Sequence, residues 1–123
     1  MKKKVIPVLL ATVWISLSEF FRNEVLVKSY WIDHYQTLGL VFPSEPVNGL
    51  VWGLWSLLFA SGIYILYQRF SLWETTFLSW LFGFVLMWVV AGNLGVLPEG
   101  LLYIAVPLSI LEAFVATYII SRF

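Results

Sequence analysis

The stretch 12–35, TVWISLSEFFRNEVLVKSYWIDHY, constrains this chain more than any other. An apolar run long enough to enter a bilayer acquires Glu19, Arg22, Asn23 and Glu24 before it can have left. On a helix, Thr12, Ser16, Glu19 and Asn23 follow at steps of four, three and four and form one polar stripe, with Arg22 a turn from Glu19. Charges at membrane depth are costly and turn towards a protein interior or a wet cavity. The other apolar segments must be arranged around this face.

Those segments are plentiful. Of 123 residues, 61% are hydrophobic and only 11% charged, against about a quarter charged in soluble domains. The apolar residues recur in runs of membrane-spanning length. The chain has room for one domain and reads as an all-α membrane protein. It is a four transmembrane helix bundle with spans at about 5–27, 47–67, 75–94 and 101–120. A short external interfacial segment lies between spans 1 and 2. Basic and acidic residues balance at seven each, which leaves no basic stripe for a nucleic acid. With no cysteine there is no disulfide, thiol nucleophile or Cys-ligated metal.

Lys2–Lys4 followed by Val5–Val13 has the outline of a secretory signal, and Ser16-Leu17-Ser18 is a poor cleavage triplet. The apolar and polar patterns continue past it, so the segment is expected to stay as span 1, with the lysines as a cytoplasmic anchor. Residues 29–46 are too polar to span and too aromatic for a plain loop. Tyr30, Trp31, His34 and Tyr35 suit a headgroup interface, so a short helix is expected up to about Leu38, ended by Gly39. Pro43 and Pro46 stiffen the entry to span 2. There Gly49, Gly53, Ser56 and Ala60 repeat the four-three-four spacing with small residues, a stripe that lets helix backbones approach closely.

Residues 68–74 read as a polar turn. Span 3 follows, with Thr76, Ser79 and Gly83 on one side. In span 4, Ala105, Ser109, Glu112 and Ala116 give the same spacing, with Glu112 in mid-span and Pro107 expected to kink the helix. The basic residues set the orientation. With the N-terminus inside, Lys2, Lys3, Lys4, Arg69 and Arg122 are cytoplasmic and only Arg22 and Lys28 lie outward, which favours both termini inside a bacterial inner membrane.

Depth then gathers the polar residues of all four spans in the outer half. The candidate ligand-binding or buried polar cluster is Glu19, Arg22, Asn23, Asn48, Asn93 and Glu112, with Trp52 and Trp55 at its mouth. Two acids face one base, so one acid must be protonated, hydrated or paired outside this chain. A pocket of that kind would suit a cation or amphiphile. The plain alternative is packing: Arg22 neutralises a carboxylate and the small stripes seat the helices. His34, the only histidine, lacks clustered partners for a metal, and no cofactor, phosphate-cradling loop or catalytic motif is read in the chain.

The run Phe21-Arg22-Asn23-Glu24, followed by Lys28-Ser29-Tyr30-Trp31 after a first span, resembles uncharacterised bacterial four-span membrane proteins grouped as domains of unknown function. The resemblance covers mainly the first third of the chain. It implies a four-helix membrane fold and no activity. Three functions remain. The first is a structural or accessory partner in the lipid bilayer, as a homo-oligomer or in a larger membrane complex. The second is a transporter or channel for a proton, cation or amphiphile using Glu19, Arg22 and Glu112. The third is a membrane-embedded lipid-modifying enzyme with Glu19 or Glu112 as acid-base group.

Overall fold

The computed structural model describes residues 2–123, with side chains from Lys4 onward. The expected anchoring by Lys2 and Lys3 therefore lies outside the described side chains. Helix α1 (Lys2–Phe20) passes without a break into a π turn (Phe21–Leu26), and α2 (Lys28–Thr37) follows. Helix α3 covers Pro46–Tyr67. Helix α4 (Leu72–Trp80) continues through a second π turn (Leu81–Val85) into α5 (Leu86–Asn93), and α6 covers Leu102–Ser121.

Four stretches are long and apolar enough to cross a membrane: Lys4–Leu26, Pro46–Tyr67, Leu72–Asn93 and Leu102–Ser121, here spans 1 to 4. Twenty-two residues, as in spans 2 and 3, rise ~33 Å, enough for a hydrocarbon core of ~30 Å. The chain is thus a small integral membrane protein built as a four-helix bundle.

The helix starts are written locally. Pro46 opens α3, and the Asn48 amide oxygen accepts from the Glu45 N–H at 2.8 Å, which uses a free donor at the helix entrance. At Ser71 the Glu74 carboxylate accepts from the Ser71 N–H at 3.1 Å, and the Ser71 hydroxyl accepts from the Glu74 N–H at 3.2 Å. This reciprocal cap corrects the reading of 68–74 as a turn: Leu72, Trp73 and Glu74 are already helix, because Ser-x-x-Glu supplies both orphan donors. Gly39, at φ +73°, ends the segment after α2 as expected. Helix α6 runs through Pro107 without interruption.

Each span packs on the next, span 4 closes back on span 1, and spans 2 and 4 also touch across the bundle. One core lies towards the end carrying both termini: Ala11 and Ile15 of span 1, Ala60 and Ile63 of span 2, Ala116 and Ile120 of span 4. A second lies towards the opposite end, where Val27, Leu101 and Ala105 pack under Tyr30, Trp31 and Trp88. Small side chains dominate the inside, including Ser56, Ser79, Ala105, Ser109 and Ala113, whereas Leu17, Phe20, Leu50, Phe82 and Val89 stand outside. Lipid solvates large apolar groups as well as a core does, so close backbone approach decides what goes inside.

The small-residue stripe of span 2 is only half used. Ser56 and Ala60 are fully buried. A Cβ built on Gly49 or Gly53 would meet nothing within 4 Å. The expected close approach therefore stops at Ser56.

Candidate functional site

The buried face of span 1 is Ala11, Ile15, Glu19 and Arg22, with Thr12, Ser16 and Asn23 on its flank. The polar stripe of the sequence is thus displaced by one residue for most of its length, because the larger apolar Ile15 takes the centre. Thr12 satisfies its hydroxyl on the Val8 carbonyl at 2.7 Å, which removes any demand for an interior partner.

At the level of Glu19 the bundle becomes ionic. Arg22 Nη2 lies 2.7 Å from Glu19 Oε1, one turn back on the same span. That contact is an ion pair without hydrogen-bond alignment, since Glu19 Oε1 has no hydrogen-bond partner. Arg22 Nη1 faces Glu112 Oε1 of span 4 at 3.6 Å. Exposure is 3% for Glu19, 6% for Arg22 and 0% for Glu112, so the three are sealed. The guanidinium also sits over the ring of Phe84 in span 3, 5.2 Å from its centroid, a cation–π contact that counts for more away from water.

The two acids are served differently. Asn23 donates from Nδ2 to Glu19 Oε2 at 2.9 Å and to the Glu19 carbonyl at 3.1 Å, and its Oδ1 accepts from Trp31 Nε1 at 3.2 Å. Glu112 has neither oxygen in a hydrogen bond and faces Arg22 Nη1 across 3.6 Å. Two carboxyls and one guanidinium thus occupy one closed site.

The π turn makes this arrangement fit. It puts Arg22 and Val27 on the buried side together with Glu19, and it lets α2 fold over the end of the bundle. There His34 Nε2 lies 2.7 Å from the Gly95 carbonyl, and Tyr30 lies 3.6 Å from where a Gly100 Cβ would stand. Helix α2 is therefore a cap on the second core.

Other residues expected in the cluster lie elsewhere. Asn48 is spent on the α3 cap, because a polar side chain at the third helical position meets a free N–H before anything deeper. Asn93 is exposed at the end of α5; the turn of the helix carries it off the face of Ser79. Trp52 is 45% exposed and meets Trp55 edge-on at 5.9 Å. Trp55 sits at mid-span, stacked on Phe59 at 4.9 Å and edge-on to Phe84 at 5.8 Å. It backs the ring under Arg22 and lines no mouth. Trp14, whose indole N–H donates to the Glu112 carbonyl at 3.0 Å, and Phe84, under Arg22, join the site without standing out in the sequence; Phe84 lies beside Gly83 in mid-span, and that proximity is its only signal. Among the described residues no three His, Asp or Glu side chains gather as a metal would need.

Comparison of the chain with protein families, curated proteins and solved structures finds no match.

Proposed function

We propose that this chain is a structural or accessory component of a bacterial cytoplasmic membrane that works as a homo-oligomer or within a larger membrane complex. One observation carries the reading. The face of span 2 that packs through Ser56 and Ala60 continues to Gly49 and Gly53, and there no atom lies within 4 Å of a Cβ position. Two glycines four apart on an unpartnered stretch of spanning helix suit close approach by another helix, because the missing side chains let backbones meet. The ionic cluster, shut inside the bundle, fits an internal brace that keeps spans 1 and 4 in register.

The mass of the gently solubilised particle tests this. The expected result is two or more copies, reduced to one by Gly53→Leu; a monomer with no co-purifying chain overturns it. We further propose that both termini are cytoplasmic, as the basic residues at that end favour. Reporter fusions after Phe70 and Phe123 should read cytoplasm and one after Pro98 the exterior, and an external signal at Phe123 would reverse the orientation.

A second reading, proton or cation exchange, has one observation in its favour: Glu112 is wholly buried with both carboxylate oxygens outside any hydrogen bond. Under that reading Glu112→Gln keeps its melting temperature and loses proton or cation flux in liposomes. Under the bracing reading it loses stability.

A further inference from the structure

Between spans 2 and 3 runs a groove of about 330 Å³, lined by Trp55, Leu58, Phe59 and Leu66 on one side and by Phe82 and Gly83 on the other. Its floor is open at Gly62, where a Cβ would meet nothing within 4 Å, and Leu58 and Phe82, both more than 60% exposed, put it against the lipid. The one hydroxyl in its wall, Ser79, is already donated to the Thr75 carbonyl at 2.6 Å. The rest of the wall is apolar apart from the Trp55 indole N–H.

Its dimensions are informative. From Trp55, near the middle of span 2, to Leu66, one residue from its end, the helix rises ~16 Å, about the depth of one leaflet of a ~30 Å hydrocarbon core. Open to lipid along that length and lined by apolar side chains, the groove suits the thin cross-section of one hydrocarbon chain better than a helix of ~10–12 Å diameter. Where the groove ends, the Arg69 N–H bonds to the Leu66 carbonyl at 3.0 Å, so Arg69 stands one turn beyond it, exposed. Among the described residues Arg69 makes no ion pair. The nearest acid in sequence, Glu74, is engaged in the Ser71 cap.

We propose that this groove seats an acyl chain of an anionic phospholipid whose phosphate is held by Arg69. The groove supplies shape and Arg69 supplies charge. A zwitterionic lipid of the same chain length would fill the first and gain less from the second.

The test is native mass spectrometry of the full chain in mild detergent, titrated with phosphatidylglycerol or phosphatidylcholine of matched chains. The wild type is expected to retain phosphatidylglycerol about fivefold more tightly, the worth of one basic residue at an anionic surface. Arg69→Gln brings the two lipids level, while Arg122→Gln, whose guanidinium lies over Tyr118 at 6.0 Å, leaves the preference in place. Gly62→Leu fills the groove and weakens both lipids. Should that variant fail to fold, Arg69→Gln in its exposed turn still decides the headgroup claim. Equal retention of both lipids by the wild type overturns the proposal. So does undiminished phosphatidylglycerol binding in Gly62→Leu, or displacement of the lipid by glycerol 3-phosphate, which would make the ligand a free phosphate ester. A second copy of the chain in the groove, seen as a doubled mass that Gly62→Leu abolishes, would overturn it as well.

Discussion

The indole N–H of Trp14 donates to the main-chain carbonyl of Glu112 at 3.0 Å, so span 1 grips span 4 at the residue whose carboxyl also faces Arg22. Backbone and side chain of Glu112 are thus held by the same neighbouring helix. Trp14→Phe removes the bond and keeps an aromatic ring, though a smaller one. It should cost about 0.6–1.7 kcal/mol, the range for polar contacts between membrane helices. Thermal unfolding in detergent reads this, and a larger loss would mean that the ring itself, not the N–H, holds the spans.

Glu112→Gln leaves Arg22 with Glu19 alone. Arg22 keeps Glu19 at 2.7 Å, so no cation is left unpaired, and losing the 3.6 Å contact should cost less than the ~3–5 kcal/mol of a broken buried pair. The melting temperature should fall modestly, and adding Arg22→Gln should lower it further, because Glu19 then stays buried without its cation. A double-mutant cycle with no coupling between the two positions would remove Arg22 as the partner of Glu112.

Gly83→Ala and Gly62→Ala form a matched pair. A Cβ on Gly83 would stand 2.5 Å from Phe59 Cε1, and that ring is held between Trp55 and Phe84 at 4.9 and 5.6 Å. Displacing it should cost about 1–3 kcal/mol. Gly62, with open space around it, should accept alanine without loss. Equal stability of the two variants would show that the Phe59 ring swings aside freely.

His34→Ala removes the bond that ties α2 to the Gly95 carbonyl. A loss of about 1 kcal/mol is expected, confined to one end of the molecule. Amide exchange in α2 should quicken while exchange in spans 2 and 4 stays as in the wild type. Uniform acceleration across the chain would make α2 part of one cooperative unit with the bundle.

The spans were legible because run length and composition respond to one strong constraint, the thickness of hydrocarbon. Glu19, Arg22 and Glu112 were legible for the same reason: a charge inside such a run has few places to go, and the structure brings these three together. Asn48 and Asn93 match the cluster in depth, Asn93 already off the angle of Ser79 and Gly83, and an asparagine near a helix end finds a local N–H or water before a distant partner. Tryptophan favours interfaces, yet Trp55 falls near the middle of α3 and spends its ring on Phe59 and Phe84. The Ser71–Glu74 cap is written in the letters as Ser-x-x-Glu, but the polar character of 68–74 suits a turn as well as a helix start. The π turns left no mark in the sequence, since no residue type announces them.

The turn at Phe21–Leu26 can be viewed as a helix carrying one residue more than its regular winding allows. Deleting a single residue there, Val25 or Leu26, would let span 1 run on as plain α-helix and swing everything beyond it by about 100°. Trp31 would leave Asn23, and His34 would leave Gly95. Spans 2 to 4 would keep their length and hydropathy, and span 1 would lose one of its 23 residues. A lineage losing that one codon would still make a four-span membrane protein, with its lid facing the wrong way.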